Sequence, residues 1–224
     1  MSNFPRTRAL LLAGKGEDLP RAEVEILRQG RHLVCVAEAW QVARDYDWRP
    51  DIVLGQLSHL PENVRTDWQQ QGTRFMPLSS AYPYSELEFA LNYLITTGVR
   101  DILLLGLIST RLTTTLARLF LLARPEWGAA RLSFVHGPER GYILRHGESV
   151  RLDVSPHDKV TLLPLTSTVT ALTARGVSPA LRGASLAFGT AMELTLEERP
   201  VQLWIGAGCL LVIHERPRLP SPPS

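Results

Sequence analysis

The chain lacks most of the features that mark the easily recognised classes of small protein. Its two cysteines, Cys35 and Cys209, lie far apart and each inside an apolar run. That excludes a disulfide framework and reads as two reduced, buried thiols. Lysine is nearly absent: Lys15 and Lys159 stand against 22 arginines, so a catalytic lysine has only two candidates. The 24 basic and 22 acidic side chains are scattered without blocks and leave a net charge of +2, so composition gives no support to nucleic-acid binding. No apolar stretch approaches the roughly 18 residues of a membrane span. The run Ala9 to Ala13, which follows Arg6 and Arg8, is too short for a signal-peptide core. The expectation is a cytoplasmic protein with neither a membrane nor a nucleic-acid partner. There is no internal repeat.

What is present is enough apolar material, 45% of 224 residues, for one sizeable core or two modest ones. The first half alternates short apolar runs with helix-period segments, the pattern of a parallel sheet covered by helices. Strands are expected at Ala9 to Ala13, Leu33 to Val36, Ile52 to Leu54 and Ile102 to Leu105, with helices at Arg21 to Gln29 and Ala39 to Tyr46. Ser85 and Glu88 form a Ser-x-x-Glu capping box ahead of the stripe Leu87, Ala90, Leu91 and Leu94, which Gly98 closes. Leu112, Leu116, Leu119, Phe120 and Ala123 mark a further amphipathic helix ending before Pro125. After Trp127 short alternating runs separated by Gly and Pro turns predict an all-β region. Its strands are Arg131 to Val135, Tyr142 to Arg145, Val150 to Asp153, Val160 to Leu165, Val169 to Ala174, Ser185 to Phe188, Val201 to Ile205 and Cys209 to His214. The fold class is therefore α/β, with an N-terminal wound parallel α/β domain (1–128), a C-terminal β-sandwich (129–216) and a tail (217–224), half proline, expected to be disordered.

The order of landmarks resembles the thiamine pyrophosphokinase family over nearly the whole chain. Arg49-Pro50-Asp51-Ile52-Val53-Leu54-Gly55 is similar to that family's P-D-x-x-x-G strand, and Glu86-Leu87-Glu88-Phe89-Ala90-Leu91 to its D-L-x-x-A-L helix start. Leu105-Gly106 through Arg111 and Leu116-Ala117 resemble its G-x-x-G-G-R-x-D-H-x-L segment. Val160 to Pro164, Gly176 and Phe188-Gly189-Thr190 fall where it has S-x-x-P, G and F-G-S. The resemblance implies transfer of a pyrophosphoryl group from ATP to thiamine with release of AMP. It also implies Mg²⁺ and ATP as cofactors, and a homodimer with the site at the subunit interface.

The acids on which such chemistry depends are largely absent at the matching positions. The family's D-G-G is matched by Ala37, Glu38 and Ala39, and its G-D-F-D-S by Gly55, Gln56, Leu57, Ser58 and His59. K-D-x-T-D is matched by Tyr82, Pro83, Tyr84, Ser85 and Glu86, so only the last acid survives. In G-G-R-x-D-H, Ser109 and Thr110 replace the glycines, Arg111 is kept, and Thr113 and Thr114 replace the acid and the imidazole. Neutral groups can ligate Mg²⁺ but do not supply the charge that draws it from its water shell. Glu38 is expected to point away, because side chains alternate along an extended strand end.

The resulting expectation is a family member with lost or impaired kinase activity that keeps a cleft for a thiamine-like or nucleotide-like small molecule. No residue is assigned as catalytic and none as a metal ligand. The ligand-binding positions carried over are Gln56, Ser58, Glu86, Arg111, Thr113, Thr114 and Thr195, the last near the family's S-N thiamine contact. Two alternatives stand beside this: an active kinase holding Mg²⁺ through Glu86, Glu38 and phosphate oxygens, and a non-enzymatic, partner-binding dimer. Glu86 reads equally as a site carboxylate and as an acid favoured by the helix dipole. Arg111 reads as an anion contact. Lys15, between two glycines, reads as an ordinary loop residue. Most of His59, His136, His146, His157 and His214, each at a turn or strand end, are expected at the surface, and Trp204 in the core.

Overall fold

The computed structural model describes residues 7–14, 21–79 and 85–216. Lys15, the Tyr82 to Tyr84 match and the tail 217–224 lie outside the described residues. The chain forms two compact units, Met1–Gly137 and Pro138–Ser224.

In the first unit β1 (Arg8–Leu12), α1 (Arg21–Arg28), β2 (His32–Val36), α2 (Trp40–Asp45) and β3 (Ile52–Gly55) follow one another through short connections. They are followed by α3 (Glu62–Gln70), β4 (Arg74–Pro77), α4 (Glu86–Thr96), β5 (Asp101–Leu105), α5 (Leu112–Leu122) and β6 (Arg131–His136). The sheet order is β6-β5-β1-β2-β3-β4, and every neighbouring pair is parallel. Leu10, Leu11, Leu12, Val34, Val36, Val53, Leu54, Leu104 and Leu105 are fully buried. Continuous aliphatic runs suit strands covered on both faces, and each such side chain contributes roughly 1.5–3 kcal/mol on burial. The chain winds outward from β1 to β4 and then returns to β5 on the other side of β1. The strand order thus reverses between β1 and β5, where open α/β sheets form a crevice at the carboxyl ends of their strands.

Ser85 caps α4 as its sequence predicts: its Oγ accepts the Glu88 N–H at 3.2 Å, and Leu87, Ala90, Leu91 and Leu94 are buried. The Glu88 carboxylate is engaged by Arg124 at 2.6 Å. Two elements of this unit carried too weak a pattern to be anticipated. Helix α3 buries only Val64 and Trp68 and begins at Pro61 without a side-chain cap, and β4 is a short, half-exposed strand at the sheet edge. The strand Arg131–His136, grouped by its texture with the later β region, instead lies parallel beside β5 and belongs to the first unit.

The second unit is all β. It comprises β7 (Glu139–Leu144), β8 (Ser149–Leu152), β9 (Lys159–Pro164), β10 (Thr168–Arg175), β11 (Val177–Ser178), β12 (Leu181–Ala187), β13 (Met192–Leu196), β14 (Val201–Trp204) and β15 (Leu210–Glu215). One antiparallel layer runs β11-β13-β9-β15-β7 and the other β12-β10-β14-β8. Leu144, Val160, Leu162, Leu210 and Val212 of the first layer pack with Leu152, Val169, Leu172, Val201 and Leu203 of the second, the alternating inner faces of a sandwich. Two expectations are refined here. His214 is buried, not at the surface, with Nε2 2.7 Å from Asp158 Oδ2. Trp204 is half-buried, and the Arg175 guanidinium lies 5.5 Å from its ring centre.

Candidate functional site

The carboxyl ends of the first unit's strands converge on Glu86, the first residue of α4. Its side chain is 8% exposed, and its two oxygens are occupied by neighbouring loops. Oε1 accepts the Gln56 N–H at 2.6 Å, Oε2 accepts the Glu38 N–H at 3.0 Å, and His59 Nδ1 stands 3.2 Å from Oε1. One carboxylate therefore ties the turn after β2 to the turn after β3, and its charge also suits the amino end of α4. Gly55 permits the approach: its φ is +129°, and a Cβ there would fall 2.5 Å from the Glu86 carboxyl carbon. Behind Glu86, complete burial and the nearby carboxylate push the Cys35 thiol far above its ordinary pKa.

A second anchored group faces the same region. Arg118 on α5 donates from Nη1 to the carbonyls of Gly106 and Leu107 at 2.9 and 3.3 Å, and from Nη2 to Glu38 Oε1 at 2.6 Å. The turns after β1 and β5 press against it, since a Cβ on Gly14 would lie 2.5 Å from Arg118 Nη1 and 2.7 Å from the Gly106 carbonyl. The Arg118 side chain is 13% exposed and the Glu38 side chain 46%. Thr115 Oγ1 accepts from the Ser109 N–H at 2.9 Å and donates to the Ser109 carbonyl at 3.0 Å, fixing the entry to α5.

Between α4, α5 and the turns lies a cleft of about 490 Å³. Gln56, Glu86, Thr113 and Thr114 line it, so four of the seven sequence-derived positions come together. Ser58, in the turn Leu57–His59, and Arg111, the exposed residue preceding α5, are not among its lining residues. Thr195 lies on β13 in the second unit, exposed and opposite Ser178. Four polar lining residues had not been assigned to the site: Glu38, His59, Ser85 and Arg118. Glu38 was expected to point away, but Ala37–Ala39 is a 3-10 turn, so strand alternation does not apply. Arg118 lies four residues after Thr114 and so on the same helix face, a spacing that could have disclosed it. Leu78, Leu87, Ala117 and Leu121 supply the apolar wall. Among the described residues no group of three or more His, Cys, Asp or Glu side chains is arranged to hold a metal ion.

A parallel sheet with its cleft at the strand-order reversal, followed in one chain by a β-sandwich, is a wound α/β architecture whose usual ligand crevice lies at the strand carboxyl ends. The sequence profile of the thiamin pyrophosphokinase catalytic domain matches residues 25–132. No curated protein matches the sequence. Among solved structures, thiamin pyrophosphokinase from Geobacillus thermodenitrificans is 18% identical with a TM-score of 0.77, covering 94% of this chain and 98% of its own. The Bacillus subtilis enzyme is 14% identical with a TM-score of 0.78, over 93% and 98%. That from Candida albicans is 14% identical with a TM-score of 0.74, over 93% and 90%. Residues 25–132 thus match the thiamin pyrophosphokinase catalytic domain, and the chain as a whole has the fold of these enzymes. No described helix is long and apolar enough to cross a membrane.

Proposed function

We propose that this chain binds a thiamine-like or nucleotide-like small molecule in the cleft between α4 and α5 and does not carry out Mg²⁺-dependent pyrophosphoryl transfer. The observation that carries the reading is the state of Glu86, the one acid surviving at the family-matched positions. Its oxygens already accept from Gln56 N–H and Glu38 N–H and lie beside His59. The cleft's other carboxylate, Glu38, is bound by the Arg118 guanidinium. A hard divalent cation needs several free, charged oxygens and is repelled by a guanidinium beside it, so the described donor set does not fit Mg²⁺. Gln56, Thr113 and Thr114 offer neutral hydrogen-bonding groups, and the leucines an apolar wall suited to a ring. The family resemblance adds a cytoplasmic homodimer to the proposal.

Thermal unfolding with thiamine, thiamine diphosphate, ATP and AMP, each with and without Mg²⁺, tests the reading together with an AMP-release assay. The expected result is a rise in melting temperature with at least one ligand in EDTA and no AMP formed. A rise that requires Mg²⁺ with ATP and thiamine, accompanied by AMP, overturns it in favour of an active kinase. The absence of a shift with every ligand overturns it in favour of a partner-binding dimer.

A further inference from the structure

We propose that Glu38 is an internal occupant of an oxyanion subsite centred on Arg118, and that a phosphate or carboxylate group of the ligand takes its place without a metal ion. The inference rests on the preceding reading that the cleft binds a small molecule, and adds the chemistry that anchors it.

The two partners of this ion pair are held very differently. Arg118 is mostly covered, with Nη1 fixed on the Gly106 and Leu107 carbonyls and the turn at Gly14 packed against it. A guanidinium gripped in this way by main chain keeps its position when its anionic partner changes. Glu38 comes from a 3-10 turn and its side chain is nearly half exposed, so it can swing into solvent at little cost. The turn itself stays in place when the side chain leaves, because it is secured through the Glu38 backbone N–H on Glu86. Glu38 and Arg118 line the same cleft as the hydroxyls of Thr113 and Thr114 and the Gln56 amide, which can donate to the remaining oxygens of an incoming anion. A singly charged oxyanion replaces the Glu38 carboxylate one for one, leaving the net charge next to Arg118 unaltered.

The probes are inorganic phosphate, pyrophosphate and acetate, titrated calorimetrically into the full chain in EDTA. The wild type, Glu38→Gln, Glu38→Ala and Arg118→Lys are compared. Removing the competing carboxylate removes one partly exposed ion pair, so Glu38→Gln and Glu38→Ala should bind at least one probe about fivefold more tightly than the wild type. Arg118→Lys, combined with Glu38→Gln, should cancel that gain. Tightening for phosphate or pyrophosphate alone assigns a phosphate-bearing ligand, and tightening for acetate alone a carboxylate. Equal affinities in the wild type and both Glu38 variants, or no binding of any probe to either variant, overturns the proposal. Because Arg118 supports two loops and its variant can fail to fold, the Glu38 variants, altered only at a half-exposed side chain, decide the outcome. AMP release with Mg²⁺ would sink the reading of the cleft; unchanged anion affinity without AMP release sinks only the displacement of Glu38.

Discussion

Replacing Glu86 by alanine removes the acceptor of two backbone N–H groups, at 2.6 Å from Gln56 and 3.0 Å from Glu38. Hydrogen bonds to a charged acceptor contribute roughly 1.5–3 kcal/mol each, and the lower figure applies here because water from the open cleft can reach the freed groups. The lost acid in the first turn of α4 adds about 0.5 kcal/mol through the helix dipole. The sum is about 3.5 kcal/mol, or a fall in melting temperature of roughly 7–14 °C for a chain of this size. Urea unfolding measures the stability change, and hydrogen exchange at the Glu38 and Gln56 amides measures its location. Both amides should lose protection while the amides of β1 and β5 keep theirs. A loss below about 1 kcal/mol with both amides still protected would refute the assignment of Glu86 as the tie between the two turns. If Mg²⁺ stabilises the wild type and not Glu86→Ala, the carboxylate is a metal ligand and the proposed function fails with it.

Two further predictions follow from buried titratable groups. Burial raises the pKa of both thiols, reinforced at Cys35 by Glu86 and opposed at Cys209 by Arg145, so neither should react with iodoacetamide at pH 8 until the protein is unfolded. Modification of the folded protein on the timescale of a free thiol, read by mass spectrometry, would contradict this. In the second unit, burial by itself raises the Asp158 pKa, but hydrogen bonds from His214 and the Ser155 N–H, with the charges of His214 and Arg216, bring it below the ordinary carboxylate value. A depressed folded-state pKa contributes stability that is present above the unfolded value of about 3.9 and is lost as pH falls through the folded value. Asp158→Asn should therefore lower stability at pH 6–7 and flatten its decline below about pH 4. An acid limb of unchanged steepness in urea titrations of the variant would refute the role of the pair.

The regular elements that position the cleft were largely legible in the sequence. The apolar runs of β1, β2, β3 and β5 have no alternation because both faces are covered, and Ser85 with the stripe behind it sets the start of α4 through contacts three and four residues apart. Helix α3, with two buried side chains, and the edge strand β4 left no comparable pattern because little of either is buried. The β6 strand shows the limit of local texture. Its run of alternating residues is compatible with either unit, and only pairing with β5 decides its place.

By itself the sequence determined a wound parallel α/β domain and a β-sandwich after it. These follow from periodicity, caps and residue chemistry, all of which act over a few residues. Tertiary structure alone decided what the remaining polar groups do. Glu86 meets Gln56 and Glu38 from 30 and 48 positions away, Arg118 reaches Glu38 across 80, and His214 finds Asp158 across 56. Whether a carboxylate is free for a cation, spent on backbone or held by an arginine depends on which chain segments the sheet order brings to the same strand ends, and no local preference encodes that juxtaposition.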